Sequence, residues 1–409
     1  MEDAVNASTA GSSGQIVVAG AGYAGLHVAL RLAAKLRNHP EMELTLVDRH
    51  DYHQVITELP RVAGGTRAAD AVRIPLQDLL AERVRFVQTE ISGFDLPGRR
   101  LLTDAGPIGW RRLVLALGSR PNDFAIPGLA QRVLSLYSAS DAERVWAAII
   151  KALDDAAAAA DPGQQRRRAT VVVGGGGATG VELAGELAEV LPEVAKSHGL
   201  APDRPAVQLI EAGPTILAGS SPQLIDKAAK ILSDLKVQVR TTAAIAAATE
   251  EGFRLKDGVL VEGGVFVWAG GVKAPALVAD SALPTGHNGR VKVDRYLRVL
   301  DRSEIYVAGD LASVTDPRTG HVLPALAQVA LEEGETVARN LNAELEGGQL
   351  EAFTFRDKGF VVSVGTRRAV ADIAGITSGG RAAHLLKDAI EWEYRQSVRH
   401  LRGWDPIPG

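Results

Sequence analysis

None of the 409 residues of this sequence is a cysteine. The absence of thiols excludes disulfide bonds, thiolate metal sites, iron–sulfur clusters and any redox relay built from cysteines. We predict no metal among the cofactors. If the chain carries out electron transfer, a bound organic cofactor must supply the redox chemistry.

Excess charge and long apolar runs are also missing. The formal net charge is only −4, which gives no reason to expect nucleic acid as a partner. No window offers the roughly eighteen uninterrupted apolar residues of a membrane-spanning helix. Residues 1–14 are small and polar, without the basic leader or apolar core of a secretory signal, so we expect a disordered tail. These features favour a cytoplasmic protein and leave open a peripheral attachment to the cytoplasmic side of a membrane.

The sequence does contain two copies of one local pattern. An apolar strand, a glycine turn, a helix and a second strand follow one another from residue 15 and again from residue 170. Each copy is typical of a β-α-β unit. The chain is also longer than a usual single domain. We therefore predict an α/β fold with two doubly wound Rossmann-like dinucleotide-binding domains and a small C-terminal domain.

The first copy carries a dinucleotide-binding motif. Gly20, Gly22 and Gly25 have the G-x-G-x-x-G spacing, and Asp48 ends the second strand. The three glycines allow a tight turn, a close approach of pyrophosphate and close packing of helix on strand. The helix N-terminus directs free amides at the phosphates, and the acid accepts hydrogen bonds from ribose hydroxyls.

The second copy repeats this arrangement with Gly175, Gly177 and Gly180, followed by Glu211 at the end of a strand. An acid at this position binds the adenosine ribose and repels a 2′-phosphate, which favours NADH over NADPH. The alternative is that Glu211 only faces solvent. We call each of these phosphate-binding glycine turns a cradle. Two cradles in one chain suit electron transfer from a nicotinamide to a flavin, because each dinucleotide needs its own phosphate site.

Several blocks of the sequence resemble the type II NADH dehydrogenases of the two-dinucleotide-binding, pyridine nucleotide-disulfide oxidoreductase superfamily. The blocks follow the order of that family from about residue 15 to about residue 370: GAGYAGL, VDRHDYH, LVLALGSRPN, VVVGGGGATGVELAGEL, VWAGGVKAP, IYVAGDLA and ALAQVALEEG. The resemblance implies FAD in the first domain, NADH in a domain inserted into it, and a quinone as electron acceptor. It implies these boundaries: 15–137 and 278–345 for the FAD-binding domain, 138–277 for the NADH-binding domain, and 346–409 for the C-terminal domain.

The resemblance also assigns roles to individual residues. It implies that Gly118, Gly309, Asp310 and Ala327 contribute to the flavin site. An Asp that follows an apolar strand and a glycine can accept from a ribityl hydroxyl, and amides at a helix start near Ala327 would stabilise a reduced flavin ring. Asp310 could instead be an ordinary turn residue at the end of a strand.

Three residues are candidates for catalysis. Glu182 would lie where nicotinamide meets flavin, or would only complement the helix dipole. Gln328 matches the first glutamine of the family motif A-Q-x-A-x-Q and is a candidate wall of the quinone pocket. The final position of that motif is Glu332 here, which would deliver a proton if burial raised its pKa, or would be a solvated helix residue.

The last sixty residues depart from the family. A helical pattern from Arg381 to Leu401 has only a modest apolar stripe, and Trp392 and Trp404 stand among many charges. Such a helix would lie on a bilayer surface, pack on a partner subunit in a homodimer, or cover the domain.

The predicted function is that of a FAD-dependent NADH:quinone oxidoreductase that does not pump protons. Two alternatives remain at this point. One is an NADH-dependent flavoprotein reductase of a ferredoxin-like carrier. The other is a slow-turnover, flavin-bearing interaction protein resembling apoptosis-inducing factor.

Overall fold

The computed structural model describes residues 14–400. Residues 1–13, which make up nearly all of the expected disordered tail, lie outside the described residues. Leu401 and Trp404 at the other end also lie outside them.

Helices and strands alternate through most of the described chain. The α-helices are α1 Tyr23–Lys35, α2 Leu59–Ala63, α3 Leu76–Leu79, α4 Leu129–Arg132, α5 Ala139–Ala157, α6 Pro162–Arg168, α7 Ala178–Ser197, α8 Pro222–Asp234, α9 Ala276–Ala279, α10 Ala327–Glu346 and α11 Arg381–His400. Short 3-10 helices cover Leu36–Asn38, Ile56–Glu58, Ala69–Val72, His287–Gly289 and Gly309–Leu311. The strands are β1 Gln15–Ala19, β2 Glu43–Asp48, β3 Tyr52–Gln54, β4 Arg73–Pro75, β5 Val84–Gln88, β6 Ile91–Asp95, β7 Arg100–Thr103, β8 Ile108–Gly109, β9 Arg112–Leu115, β10 Arg120–Pro121, β11 Leu134–Ser135, β12 Thr170–Gly174, β13 Ala206–Ile210, β14 Gln238–Arg240, β15 Ile245–Ala248, β16 Phe253–Leu255, β17 Leu260–Val261, β18 Val265–Trp268, β19 Val272–Lys273, β20 Val291–Lys292, β21 Arg298–Val299, β22 Arg302–Val307, β23 Ala312–Ser313, β24 Phe360–Ser363, β25 Ala369–Ile373 and β26 Ile376–Gly380.

The first large sheet has the strand order β21-β22-β9-β1-β2-β5. Its five strands from β22 to β5 run parallel, and β21 is antiparallel at the edge. Every residue of β1 is buried, as expected for a parallel strand covered on both faces. Strand β22 enters this sheet from far along the chain, so the sheet is built from two separate segments.

The second large sheet has the order β11-β18-β12-β13-β14 and is parallel throughout. All its strands come from residues 134–268, between the two segments of the first sheet. Its central strand β12 is fully buried and leads into the second glycine turn. The mixed α/β architecture with two parallel sheets is the fold class predicted from the sequence.

Two short strands join the halves of the molecule. The chain leaves the first sheet through β10 and returns through β19, and these strands pair with each other in antiparallel fashion. Arg120 pairs with Lys273 and Pro121 with Val272. Lys273 Nζ also lies 2.9 Å from a carboxylate oxygen of Asp123. The outgoing and returning segments therefore form one two-stranded connection.

The chain ends, within the described residues, in an antiparallel sheet β24-β25-β26 and helix α11. The helix buries Lys387 and Glu391, whereas the side chains of Leu385 and Trp392 are 68% and 64% exposed. Its inward face therefore combines these two charged residues with the buried Ala383 and Val398, and part of its apolar stripe faces outward. Across residues 14–400 no helix has both the length and the apolar character needed to cross a membrane.

Arg166–Arg168 belong to helix α6, because Asp161 caps that helix: its side chain accepts from the amide of Gln164 at 2.7 Å, and Pro162 occupies the first turn. The segment around Phe353 forms no strand, and β24 begins only at Phe360.

Candidate functional site

The first glycine turn has the geometry of a phosphate cradle. Gly20 has a φ of +105°, a conformation that other residues rarely adopt. A Cβ built on Gly25 would lie 1.9 Å from the carbonyl oxygen of Gly20, so only glycine allows this contact of helix and strand. A Cβ on Gly22 would meet no atom within 4 Å, which leaves open space where a phosphate would approach.

The second turn repeats these features closely. Gly175 has a φ of +112°, and a Cβ on Gly180 would lie 1.8 Å from the carbonyl oxygen of Gly175. Gly177 again faces open space. Helices α1 and α7 begin directly after Gly22 and Gly177, so each directs free amides at the space above its turn.

The two acids bind the middle residue of each turn. Asp48 accepts from the amides of Ala21 at 2.7 Å and His50 at 2.8 Å. Glu211 accepts from the amides of Gly176 at 2.6 Å and Gly213 at 2.5 Å. Each carboxylate oxygen can accept a further hydrogen bond, so the acids hold the turns and can also bind ribose hydroxyls.

A cavity of about 770 Å³ opens above the first turn. It runs from Gly20–Gly22 along Gly118, Asp310 and Ala327, and reaches the start of α7 at Ala178–Glu182. The first turn and the helix of the second turn therefore line one cavity. The open space at Gly22, the amides of α1 and the carboxylates at Asp48 and Asp310 fit a bound FAD.

The cavity wall near Asp310 is held by buried hydrogen bonds. Ser119 Oγ donates to a carboxylate oxygen of Asp310 at 2.7 Å. The Gly309 amide donates to Glu333 Oε2 at 2.5 Å, and the other oxygen of Glu333 has no hydrogen-bonding partner within the described residues. Burial raises the pKa of Glu333 to about 8. Gly118 precedes Ser119 and Gly309 precedes Asp310, and both glycines have positive φ angles.

Glu182 lies in the wall of the cavity and is 8% exposed. One oxygen of its carboxylate accepts from the amide of Ser363 at 3.1 Å and forms an ion pair with Lys387 of α11. Lys387 also lines the cavity. This oxygen therefore lies in an ion pair in the wall of the cavity that also contains the first cradle.

The other two candidate catalytic residues contact a neighbouring segment. Helix α10 begins at Ala327, which lines the cavity. Gln328 and Glu332 are absent from that lining. Gln328 Nε2 donates to the Gly359 carbonyl at 3.4 Å. Glu332 accepts from the Arg356 amide at 3.0 Å and lies 3.3 Å from Lys358 Nζ.

Three residues of this region were missed by the reading of the sequence. Ser119 follows the predicted Gly118, and Glu333 follows the predicted Glu332, so both lay next to a recognised motif. Lys387 carried no local signal, because it stands 205 residues from Glu182 along the chain.

Comparison with known proteins agrees with this geometry. The family model described as pyridine nucleotide-disulphide oxidoreductase matches residues 14–334. Type II NADH:quinone oxidoreductases of Staphylococcus aureus, from strains NCTC 8325 and COL, are each 30% identical over 383 residues, covering 92% of this chain and 94% of theirs.

The chain belongs to the type II NADH:quinone oxidoreductases of the pyridine nucleotide-disulphide oxidoreductase family.

Solved structures share the fold of this type II family member. Plasmodium falciparum NDH2 in complex with NADH superposes with a TM-score of 0.87 at 17% identity and covers 95% of this chain and 96% of its own. The sulfide:quinone oxidoreductase of Aquifex aeolicus superposes with a TM-score of 0.77 at 19% identity, covering 95% and 92%. Family membership makes the chain an oxidoreductase that uses FAD and NADH, and it accounts for the paired cradles.

Proposed function

We propose that this chain oxidises NADH and reduces a quinone, with FAD as its resident cofactor. The observation that carries this proposal is the single cavity lined by the first glycine turn and by the start of α7. When bound, FAD supplies a group that takes hydride from NADH and gives two electrons to the quinone. The chain supplies binding, orientation and proton positions.

We assign FAD to the cradle of Gly20, Gly22 and Gly25, with Asp48, Gly118, Gly309, Asp310 and Ala327 as further contacts. NADH binds the cradle of Gly175, Gly177 and Gly180, with Glu211 at its ribose. The boundaries follow this division: residues 15–137 and 278–345 bind FAD, residues 138–277 bind NADH, and residues 346–409 form the C-terminal domain. The origin of the strands in each large sheet supports these limits.

The acceptor end of the cavity suits a quinone. Leu326, Phe360 and Val361 form an apolar part of the wall, and Lys387 adds a cation beside them. Apolar surface would bind the ring, and the Nζ protons of Lys387 would lie near the quinone oxygens. Glu182 holds Lys387 in place through their ion pair.

Gln328 and Glu332 would act through the segment they bind. Both side chains hold residues 356–359, which lead directly into Phe360 and Val361. Because Glu332 pairs with Lys358, its charge is balanced within the protein. We infer that the two residues set the position of the acceptor wall.

Helix α11 supports a peripheral contact with the membrane. Leu385, Ile390 and Trp392 face outward, and Trp392 is suited to the headgroup region. Quinones with long apolar tails reside in the bilayer, so a contact here would bring the acceptor end close to its substrate.

Co-sedimentation with anionic vesicles tests this placement. Trp392→Ser should reduce vesicle binding, whereas Ile376→Ser, at an exposed β-hairpin residue outside the helix, should retain more of it. A self-association that Trp392→Ser abolishes without any vesicle binding would assign the face to a homodimer instead.

Two measurements on the purified protein test the function. An absorption spectrum should be that of bound flavin and should bleach when NADH is added without oxygen. Adding a water-soluble ubiquinone or menaquinone analogue should restore the oxidised spectrum rapidly. Restoration by a ferredoxin-like protein alone would assign the chain to carrier reduction, and bleached flavin that persists with both acceptors would favour an interaction protein.

A further inference from the structure

The two cradles differ in how the carbonyl of the middle residue is held. In both turns the amide of that residue donates to an acid, as described above. The Gly176 carbonyl then accepts from the backbone amide of Leu217 at 2.8 Å. The Ala21 carbonyl instead pairs with the Nδ1 atom of His53 at 2.9 Å. A side chain therefore holds the carbonyl of the middle residue in the first cradle, whereas a backbone amide holds it in the second.

The hydrogen bonds of His53 have only one possible direction. A carbonyl oxygen only accepts, so Nδ1 must carry the hydrogen and Nε2 must be the acceptor. The hydroxyl of Tyr394 lies 2.7 Å from Nε2 and therefore donates to it. Burial lowers the pKa of His53 to about 4 and raises the pKa of Tyr394 well above its usual value, so both groups are neutral at physiological pH.

This chain of hydrogen bonds begins on the C-terminal helix. Tyr394 belongs to α11, and its ring stacks on Tyr23 with centroids 4.8 Å apart and planes 27° apart. Tyr23 is the first residue of α1, the helix that follows the glycine turn. The next residue of α11, Arg395, donates to the buried Glu58 at 2.9 and 2.6 Å. Helix α11 thus contacts the start of α1 directly and reaches the Ala21 carbonyl through His53.

We propose that Tyr394 and His53 are positioning residues that couple the docking of α11 to the affinity of the first cradle for its dinucleotide. The proposal rests on the assignment of FAD to that cradle. A docked α11 holds the Ala21 peptide from its carbonyl side, and this fixes the turn in the conformation that receives the pyrophosphate. Coupling of this kind is reciprocal, so bound FAD should in turn stabilise α11. The carbonyl of the second cradle is held by the Leu217 amide instead, so this link should not affect the affinity for NADH.

The release of FAD from the holoenzyme is the first measurement. Tyr394→Phe removes the hydroxyl and retains the ring that stacks on Tyr23. We expect it to speed FAD release by roughly three- to tenfold, the effect of losing one hydrogen bond between neutral groups. The dissociation constant for NADH should stay within about twofold. The hydroxyl that is removed bonds His53 beside the first cradle, and changes at sites without shared partners usually have independent effects. Tyr296→Phe is the control, since its hydroxyl bonds the neighbouring Arg295 outside the cavity, and it should leave FAD release unchanged.

A double-mutant cycle tests the route through the imidazole. His53→Asn keeps a donor that can reach the Ala21 carbonyl but removes the acceptor for Tyr394. In the His53→Asn background, Tyr394→Phe should have no further effect on FAD release. Equal and additive effects in both backgrounds would show that Tyr394 acts by another route, and the proposal would be wrong.

Hydrogen exchange of α11 gives a readout independent of turnover. Amides of residues 383–398 should exchange more slowly in the holoenzyme than after removal of FAD, and Tyr394→Phe should abolish that difference. If the exchange rates of α11 in the wild-type chain were the same with and without FAD, the proposed coupling would be wrong. A purified chain that neither contains nor takes up FAD would instead overturn the cofactor assignment, so the two failures are distinguishable.

Discussion

At the scale of single residues, the acids at the two cradles carry out two tasks with one carboxylate. Asp48 and Glu211 each accept from two backbone amides, which fixes the shape of the turn. The remaining acceptor capacity of each oxygen is available to a ribose. At Glu211 the negative charge should also repel the 2′-phosphate of NADPH.

We expect Glu211→Ala to narrow the preference for NADH over NADPH by about tenfold, which corresponds to the loss of about 1.4 kcal/mol of discrimination. The loosened turn should raise KM for both coenzymes, and this common effect cancels in the ratio. The measurement is kcat/KM for each coenzyme with one quinone. An unchanged ratio would remove Glu211 from the ribose site.

Glu333 gives a prediction for stability against pH. Its carboxyl is neutral in the folded protein up to a pKa of about 8, whereas in the unfolded chain it ionises near the ordinary value of about 4.5. Between these two values the unfolded state binds fewer protons, so the contribution of Glu333 to stability falls as pH rises. Glu333→Gln cannot ionise and still offers an acceptor to the Gly309 amide.

The melting temperature of Glu333→Gln should therefore gain on that of the wild-type chain as pH rises from 5 to 8, and the gain should level off above 8. Thermal unfolding with excess FAD at several pH values measures this. Glu82→Gln, at an exposed position, is the control. A difference between Glu333→Gln and wild type that is constant with pH would contradict the assigned burial effect.

At the scale of elements, the matched glycine turns allow the two cradles to be disabled one at a time. Gly25→Ala and Gly180→Ala each place a Cβ less than 2 Å from a carbonyl oxygen of their own turn. We expect Gly25→Ala to lose FAD, and Gly180→Ala to retain FAD while flavin bleaching by NADH slows at least tenfold. Each overpacked site should also cost about 1–3 kcal/mol of stability.

Flavin absorbance after purification and stopped-flow bleaching by NADH distinguish the two variants. Gly199→Ala serves as a control for glycine replacement, since a Cβ there would meet no atom within 4 Å although its φ of +78° still adds strain. Loss of FAD from Gly180→Ala would show that the cradles are assigned the wrong way round.

The elements that could be predicted from the sequence are those set by short-range patterns. The apolar run of β1, the glycines at 20 and 25 and the acid at 48 are all local signals. Helix α6 begins at the Asp-Pro-Gly sequence of residues 161–163, and such a sequence can end one helix or begin the next, so the pattern alone does not decide between them. The orientation of α11 could not be predicted, because its inward face is fixed by partners far away in sequence, such as Glu182 and His53.

At the scale of the whole molecule, one cavity contains both the first cradle and the wall that we propose for the acceptor. Gln328→Ala removes the contact with Gly359 near the acceptor wall and leaves both cradles intact. We expect kcat/KM for the quinone to fall about tenfold, or about 1.4 kcal/mol in transition-state stabilisation. Stopped-flow bleaching of the flavin by NADH should change by no more than about twofold, since that step does not involve the acceptor wall.

The control for this experiment is Gln164→Ala on α6, which should leave both steps unchanged. Equal losses in the two half-reactions of Gln328→Ala would contradict its place at the acceptor end.

The parts of the candidate site that one motif carries could be predicted from the sequence. The parts formed by residues from distant segments could not. Each glycine cradle is formed within one segment, so its spacing alone identified it. The acceptor wall combines the start of α10 with Phe360 and Lys387, and the sequence offers no pattern that joins these positions. Gln328 matched a family motif and Glu332 replaces its final glutamine, but the motif did not reveal that the partners of these two residues lie in residues 356–359.

The pairing of β10 with β19 has a practical consequence for engineering. Because the outgoing and returning strands are hydrogen-bonded neighbours, the ends of the stretch between them lie side by side. We therefore expect that a homologous stretch from an enzyme with another coenzyme preference could be grafted between Pro121 and Val272 without an added spacer. If this stretch binds NADH as we propose, the graft would change the coenzyme preference while the host keeps its own acceptor.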